Sequence, residues 1–155
     1  MMILGIDPGL SGALAFFDTE SEDLVVIDMP TVEMTRNGKN KREVSPALVA
    51  DLFAGQSIKQ AYIERVSAMP GQGVSSMFSF GRSVGVVEGV LAAYEIPTTF
   101  VTPQAWMKAM GIRAGKDASR ERAMQLFPKY SGLFARKKDD GRSDAALIAK
   151  YGSTC

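Results

Sequence analysis

Residues 2–9, which read MILGIDPG, decide the fold: an apolar run ends in Asp7 and is turned by Pro8-Gly9. Short apolar runs closed by a turn are typical of buried β-strands. Two further runs, residues 12–18 and 24–29, follow after turn-like breaks. The three runs therefore predict a meander of strands, and the first strand carries a carboxylate at its carboxyl end.

The remainder of the chain predicts helices that alternate with single strands. Residues 31–44 are polar and basic around Asn37-Gly38, which indicates a loop or a long hairpin tip. Apolar spacing and capping residues predict strands over 61–66 and 98–101, and helices over about 46–54, 76–94, 103–110, 116–127 and 140–151. This order predicts an α/β fold with one five-stranded mixed sheet flanked by helices, in which strands one, four and five are parallel. Ligand sites lie at the carboxyl ends of such strands, where Asp7 is placed.

Composition narrows the classes of function. The chain has 155 residues, 46% apolar and 23% charged, as expected for one globular domain over 1–155. No apolar run approaches 18 residues, and the amino end lacks a basic stretch followed by an apolar region, so we expect neither a membrane span nor a signal peptide. The only cysteine is Cys155, which excludes an internal disulfide and favours a cytoplasmic setting. The absence of histidine excludes histidine-activated nucleophiles and histidine-ligated zinc.

Acidic residues occupy positions that suggest a joint role. Glu64 lies inside the fourth strand between Ile63 and Val66, where a carboxylate is costly unless it is paired. Asp140 and Asp144 are four residues apart and share one face of the last helix. Each acid alone is also consistent with a helix cap, a turn or a surface position. Four carboxylates that converge where parallel strands end would instead suit Mg²⁺ or Mn²⁺, and two such ions about 4 Å apart can hydrolyse a phosphodiester.

Several motifs resemble the RuvC family of Holliday junction resolvases, and most closely its phage and prophage branch. The motifs are GIDPG at 5–9, YIERV at 62–66 and DGRSDAALIA at 140–149, with further similarity over 69–78 and 102–108. The resemblance covers essentially the whole chain in the expected order. It implies an RNase H-like fold and a homodimer that cuts four-way DNA junctions with Mg²⁺, for which Mn²⁺ can substitute. A phage enzyme would act in the cytoplasm of a bacterial host.

The resemblance also maps site residues onto this chain. It places the metal-binding and catalytic carboxylates at Asp7, Glu64 and Asp144, with Asp140 as the fourth and Asp139 as the fallback. The DNA-contacting lysines of the family fall on Lys108 and Lys116.

One family feature is missing, because no aromatic residue closely follows the glutamate of the fourth strand. Met69 stands in the loop, and Phe78 is the first aromatic residue after it. We treat both as candidate DNA contacts and expect weak sequence preference and activity on several branched forms.

Basic residues are concentrated late in the chain. Residues 103–142 carry ten basic and four acidic residues, whereas residues 1–30 carry six acidic residues and no basic one. A phosphodiesterase with a carboxylate cluster needs a basic rim to bind DNA, and Arg136, Lys137 and Lys138 suit that role. Arg120 and Arg122 are interpreted as part of a solvated helix surface. Lys39, Lys41 and Arg42 of the first loop are also within reach of a phosphate backbone.

The long helix over 76–94 carries Gly81, Gly85 and Gly89 on one stripe, which indicates close approach by another element. That element is either the chain's own sheet or a second copy in a dimer.

Other classes of function remain open at this point. A looser phage nuclease that trims branched or replicating DNA is one. An actin-like phosphotransferase also opens with a Gly-x-Asp-x-Gly turn, but it needs two such domains. A catalytically inactive junction-binding module is disfavoured because all four acids are present.

Overall fold

Five of seven strands form one mixed sheet in the computed structural model, which describes residues 1–155. The strands are β1 (Met2–Asp7), β2 (Ala13–Asp18), β3 (Leu24–Asp28), β4 (Thr31–Arg36), β5 (Lys39–Val44), β6 (Ile58–Glu64) and β7 (Thr98–Val101). The main sheet has the order β3-β2-β1-β6-β7; β1 pairs antiparallel with β2 and parallel with β6, which pairs parallel with β7. The predicted five-stranded mixed sheet is confirmed, although β6 begins three residues before the predicted strand.

The helices follow their capping signals closely. They are α1 (Pro46–Phe53), α2 (Val74–Ala93), α3 (Pro103–Ala109), α4 (Ala118–Leu126) and α5 (Asp140–Ser153), with 3-10 turns at Pro128–Phe134 and Lys137–Asp139. The Ser45 and Thr102 side chains cap α1 and α3, each accepting a backbone hydrogen bond of 3.2 Å, and a proline follows each cap. These local signals explain why the predicted helices lie within two or three residues of the observed ones.

The basic segment predicted as a loop or hairpin tip is a complete hairpin of β4 and β5. It forms its own two-stranded sheet and does not pair with the main one. Asn37 and Gly38 both have positive φ, at 53° and 72°, as a tight two-residue hairpin turn requires.

Two cores cover the two faces of the main sheet. Consecutive residues of β1 alternate between them: Ile3 packs on the α5 side, and Leu4 packs on the side of α1 and α2. At Gly5 a Cβ atom would collide with the backbone of Ala145 and Ala149, so only glycine lets α5 lie directly on β1. This close contact brings the first turn of α5 to the carboxyl end of the sheet.

The glycine stripe of α2 faces solvent. Gly81, Gly85 and Gly89 are exposed, and a Cβ atom added at each would meet nothing within 4 Å. The alternative in which these glycines pack onto the chain's own sheet is therefore wrong.

No helix in the structure has both the length and the apolar character needed to cross a membrane.

Candidate active site

The first two candidate carboxylates lie at adjoining strand ends. β1 and β6 are parallel neighbours in which Ile6 pairs with Ile63, so Asp7 and Glu64 each stand one residue further along. Ile6 and Ile63 both point into the core beneath α1 and α2. Because side chains alternate along a strand, Asp7 and Glu64 point to the opposite face, where α5 lies.

The first turns of α5 supply the other two carboxylates. Gly141 packs against the turn after β1, where a Cβ atom would collide with the carbonyl of Ser11. Because glycine permits this contact, the amino end of α5 lies against the turn that follows Asp7. Asp140 and Asp144, one helical turn apart, thereby come close to Asp7.

The pKa values show that the carboxylates interact. Burial raises the pKa of Asp7 well above its usual value, and the charges of Asp144, Glu64 and Asp140 raise it further. Burial also raises the pKa of Asp144 to about 7; a hydrogen bond from Ser119 opposes the rise, and the charges of Glu64 and Asp140 add to it. Asp7 and Asp144 thus lie within electrostatic reach of Glu64 and Asp140, and we call these four residues the carboxylate cluster.

Glu64 has a hydrogen-bond partner that the sequence analysis did not assign. The indole Nε1 of buried Trp106 donates to Glu64 Oε2 at 2.7 Å. Burial raises the pKa of Glu64, and the bond from Trp106 opposes that rise. A usable signal existed: the Thr102-Pro103 cap starts α3 directly after β7, the strand beside β6, so its first turn faces the end of β6.

Arg120 is buried, at 8% exposure, which contradicts its interpretation as a solvated surface residue. Its Nη1 donates to the carbonyls of Phe134 and Ala135 at 3.1 and 3.0 Å, and its Nη2 donates to Asp117. Its Nε has no hydrogen-bond partner and lies 3.6 Å from Asp140 Oδ1. This is the only ion pair made by any of the four carboxylates, and Arg120 is thus a cation built into the edge of the cluster.

Arg122 is not a solvated surface residue either, because its Nε donates to the carbonyl of Met110 at 2.6 Å. The reason is tertiary: Met110 caps the carboxyl end of α3, and the fold brings its free backbone carbonyl within hydrogen-bond distance of α4.

Asp139 has a different role from its neighbour Asp140. Its side chain is 1% exposed and accepts hydrogen bonds from the backbone and guanidinium of Arg136, both at 2.9 Å. Burial opposes ionisation, but these bonds and the charge of Arg142 lower the pKa of Asp139 below its usual value. Arg142 also binds Asp28 at 2.8 and 2.9 Å, which fixes the amino end of α5 to the end of β3.

The predicted DNA contacts are at the surface, with one qualification. Exposed positions are occupied by Lys108, Lys116, Lys137 and Lys138. The guanidinium of Arg136 is engaged by Asp139, so it is less available for a phosphate. Met69 and Phe78 are 64% and 72% exposed, and Phe78 stands on the second turn of α2 because that helix begins at Val74.

The donor set of the cluster fits a hard divalent cation. No group of three or more Asp, Glu, His or Cys side chains is positioned to hold a metal ion together. The available donors are nevertheless carboxylate oxygens only, which Mg²⁺ and Mn²⁺ prefer. Three of the four carboxylates have no basic partner, so their mutual repulsion would be relieved by a bound cation.

Comparison with known proteins identifies similar chains. No protein-family model matches this chain. It is 33% identical over 96 residues to the "Holliday junction resolvase MOC1, chloroplastic" of Chlamydomonas reinhardtii. The match covers 58% of this chain and 10% of that protein, so the chain spans a small part of the length of the curated relative.

Similar solved structures extend over almost the whole chain. RuvC of T. thermophilus in complex with a Holliday junction substrate matches with a TM-score of 0.61 and 15% identity, covering 96% of this chain and 90% of that one. The yeast mitochondrial Holliday junction resolvase Ydc2 matches with a TM-score of 0.52 and 16% identity, covering 95% and 75%. At these identities the matches show the fold. The predicted resemblance to RuvC-like resolvases and the RNase H-like fold are confirmed; the phage and prophage branch stays a prediction.

Proposed function

We propose that the protein is a metal-dependent endonuclease that hydrolyses phosphodiesters in four-way and other branched DNA. The observation that supports this proposal is the placement of carboxylates at the adjoining ends of β1 and β6 and on the first turns of α5, without a histidine or cysteine among them. The fold and the names of the similar proteins support the same substrate class. All 155 residues would form one nuclease domain.

Asp7, Glu64 and Asp144 would hold Mg²⁺ or Mn²⁺, and Asp140 would complete the set. Bound divalent ions would stabilise negative charge at the phosphodiester and activate a water molecule. A pair of ions would serve both the attacking and the leaving oxygen. Asp7 is placed by a core strand and by the rigid Pro8 that follows it. Glu64 is oriented by Trp106, and Asp140 by the cation of Arg120.

DNA binding would use the basic rim and the exposed apolar side chains near the start of α2. Phosphate contacts from lysine and arginine dominate affinity for DNA and carry no sequence information. Stacking of a base on an aromatic ring is worth about 1–3 kcal/mol. The rim comprises Lys108, Lys116, Arg136, Lys137 and Lys138, and Met69 and Phe78 are the candidate base contacts.

A homodimer is part of the proposal. A four-way junction has symmetric strands, and a two-fold dimer would present two equivalent active sites to them. The exposed glycine stripe of α2 offers a surface on which a second backbone can approach closely. The predicted action of a phage enzyme in the cytoplasm of a bacterial host also belongs to this proposal.

The test is cleavage of matched four-way, Y-shaped and linear DNA, with Mg²⁺ and with a chelator. We expect the unmodified protein to cut the branched forms only with the metal, and Asp7→Asn to bind the junction without cutting it. Asp51→Asn is the matched control, because Asp51 is exposed on α1 and makes no ion pair. Failure to cut any branched form with Mg²⁺ or Mn²⁺ would reject the proposal, and junction binding without cleavage would favour an inactive binding module.

A further inference from the structure

The hairpin of β4 and β5 borders a cavity beside the carboxylate cluster. The cavity has a volume of about 660 Å³ and lies between β5, the turn after β1 and the first half of α2. Asp7 and Asp140 line one part of it, and Lys41 and Arg42 of β5 line another. Most lining residues are serine, glycine, cations or carboxylates, and Leu10 and Phe80 are the large apolar side chains among them.

Contacts on both faces of β5 hold the hairpin in this position. Val44 is buried in the core of the main sheet, and on the same face Arg42 Nη2 donates to the Leu10 carbonyl at 3.0 Å. On the other face Lys41 Nζ lies 3.5 Å from Ser75 Oγ, and Glu43 pairs with Arg82 at 3.8 Å. Both contacts reach α2, so the basic strand is held along that helix and next to the turn that carries Asp7.

The hairpin cations facing the cavity have no acidic partner. Lys41 and Arg42 line the cavity and take part in none of the ion pairs of the structure. Lys39, at the tip of the hairpin outside the cavity, is unpaired as well, whereas Glu43 is engaged by Arg36 and Arg82. Cations that stay unpaired within one cavity of two carboxylates attract a ligand that carries negative charge of its own.

Hydroxyl groups from α2 add neutral donors to the same cavity. Ser75, Ser76 and Ser79 line it across one and a half turns of the helix. Lysine, arginine and serine side chains are the usual contacts of a nucleic-acid phosphate backbone. A single free anion would lie against two carboxylates, whereas a strand that continues away from them places its further phosphates beside the cations.

We propose that the β4–β5 hairpin and the serine face of α2 bind the phosphate backbone of the DNA strand adjacent to the phosphate that is cut. This inference rests on the proposed nuclease function and adds a binding surface to it. It makes Lys41 and Lys39 sequence-independent phosphate contacts and gives the hairpin, which is no part of the main sheet, a role in substrate binding.

The test measures affinity for a four-way junction by fluorescence anisotropy, with a chelator present to prevent cleavage, across 50–200 mM salt. We expect Lys41→Ala to weaken binding about 3–10-fold on junctions of any sequence, and to reduce the slope of log K against log salt by about one. Lys39→Ala combined with Lys41→Ala should reduce the slope by about two. Lys59→Ala is the matched control, because Lys59 is exposed at the amino end of β6, at the end of the sheet opposite Glu64.

The outcomes separate this inference from the proposal on which it rests. Unchanged affinity and slope in the double variant, while the unmodified protein binds and cuts junctions, overturns the hairpin site alone. Loss of junction binding by the unmodified protein itself overturns both. Equal weakening by Lys59→Ala would reduce the effect to net charge and also overturn the site. Lys41→Gln and a thermal unfolding curve for each variant exclude misfolding as the cause.

Discussion

Replacing Asp144 with asparagine should stabilise the metal-free protein at alkaline pH. Burial, together with the charges of Glu64 and Asp140, raises the pKa of Asp144 from 3.8 to about 7. The folded state therefore binds more protons than the unfolded state between these pH values. Since stability falls with pH wherever the folded state holds the extra proton, the penalty is absent below about pH 4 and complete above about pH 7.

The size of the penalty follows from the same pKa difference. A difference of about three pH units corresponds to about 4 kcal/mol at most. Asp144 keeps partial contact with water, and we therefore expect about 1–3 kcal/mol in practice. Asparagine preserves the shape of the side chain and its capacity to accept the Ser119 hydrogen bond, so Asp144→Asn removes the charge penalty with little change in packing.

The assay is urea unfolding of both proteins at pH 4.5 and pH 8, with and without Mg²⁺. Without the metal, Asp144→Asn should gain stability over the unmodified protein at pH 8 and gain little at pH 4.5. Added Mg²⁺ should stabilise the unmodified protein at pH 8 by mass action and leave the variant almost unchanged. Asp51→Asn, an exposed aspartate on α1, is the control. The stability difference between the variant and the unmodified protein is the quantity to compare. If the gain from Asp144→Asn is smaller at pH 8 than at pH 4.5, the predicted charge penalty is wrong.

Four further substitutions test other parts of the site. Asp140→Asn should abolish most cleavage and leave the unfolding midpoint unchanged, because the Asp140 side chain is 65% exposed. Asp139→Asn should retain cleavage and lower the free energy of unfolding by about 1–3 kcal/mol, because Asp139 is buried and hydrogen-bonded. The reverse ranking of cleavage would move the fourth ligand to Asp139. Trp106→Phe removes the hydrogen bond that favours the ionised form of Glu64, so the pKa of Glu64 should rise further and the acidic limb of the rate profile should move to higher pH; an unmoved limb would contradict that role. Phe78→Ala should leave stability unchanged and erase any residual preference among cut sites on a mobile junction, and cutting by the unmodified protein at one short consensus alone would disprove the expected weak selectivity.

The carboxylates and the secondary structure were predictable because their signals are local. Asp7 ends an apolar run, Glu64 interrupts one, and Asp140 and Asp144 share a helix face within four residues. The order of strands and helices then left few sheet topologies, since βα units place their strands in parallel. The predicted cluster at the carboxyl end of the sheet follows from these constraints.

The burial and the pairing of the charged side chains were not predictable. They depend on which helices and strands pack together, and residue spacing along the chain does not show this packing. The residues around Arg120 in the sequence are polar and suggest an exposed helix face. Arg120 is nevertheless buried, because the backbone carbonyls of Phe134 and Ala135 accept its hydrogen bonds. Asp139 and Asp140 are indistinguishable by type, and only the position of Arg136 decides that the first is engaged and buried.

The sequence by itself determined where the helices and the strands of the main sheet lie and which acids stand at their ends, because those features depend on side-chain periodicity and caps within a few residues. Tertiary structure decided which of these groups meet. In the folded chain the glycines of α2 are exposed to solvent, Trp106 donates a hydrogen bond to Glu64, and the basic hairpin lines the same cavity as Asp7. The physical reason is that a charge or a hydrogen bond acts over a few ångströms in space, and only the folded chain brings residues 32, 42 or 114 positions apart within that range.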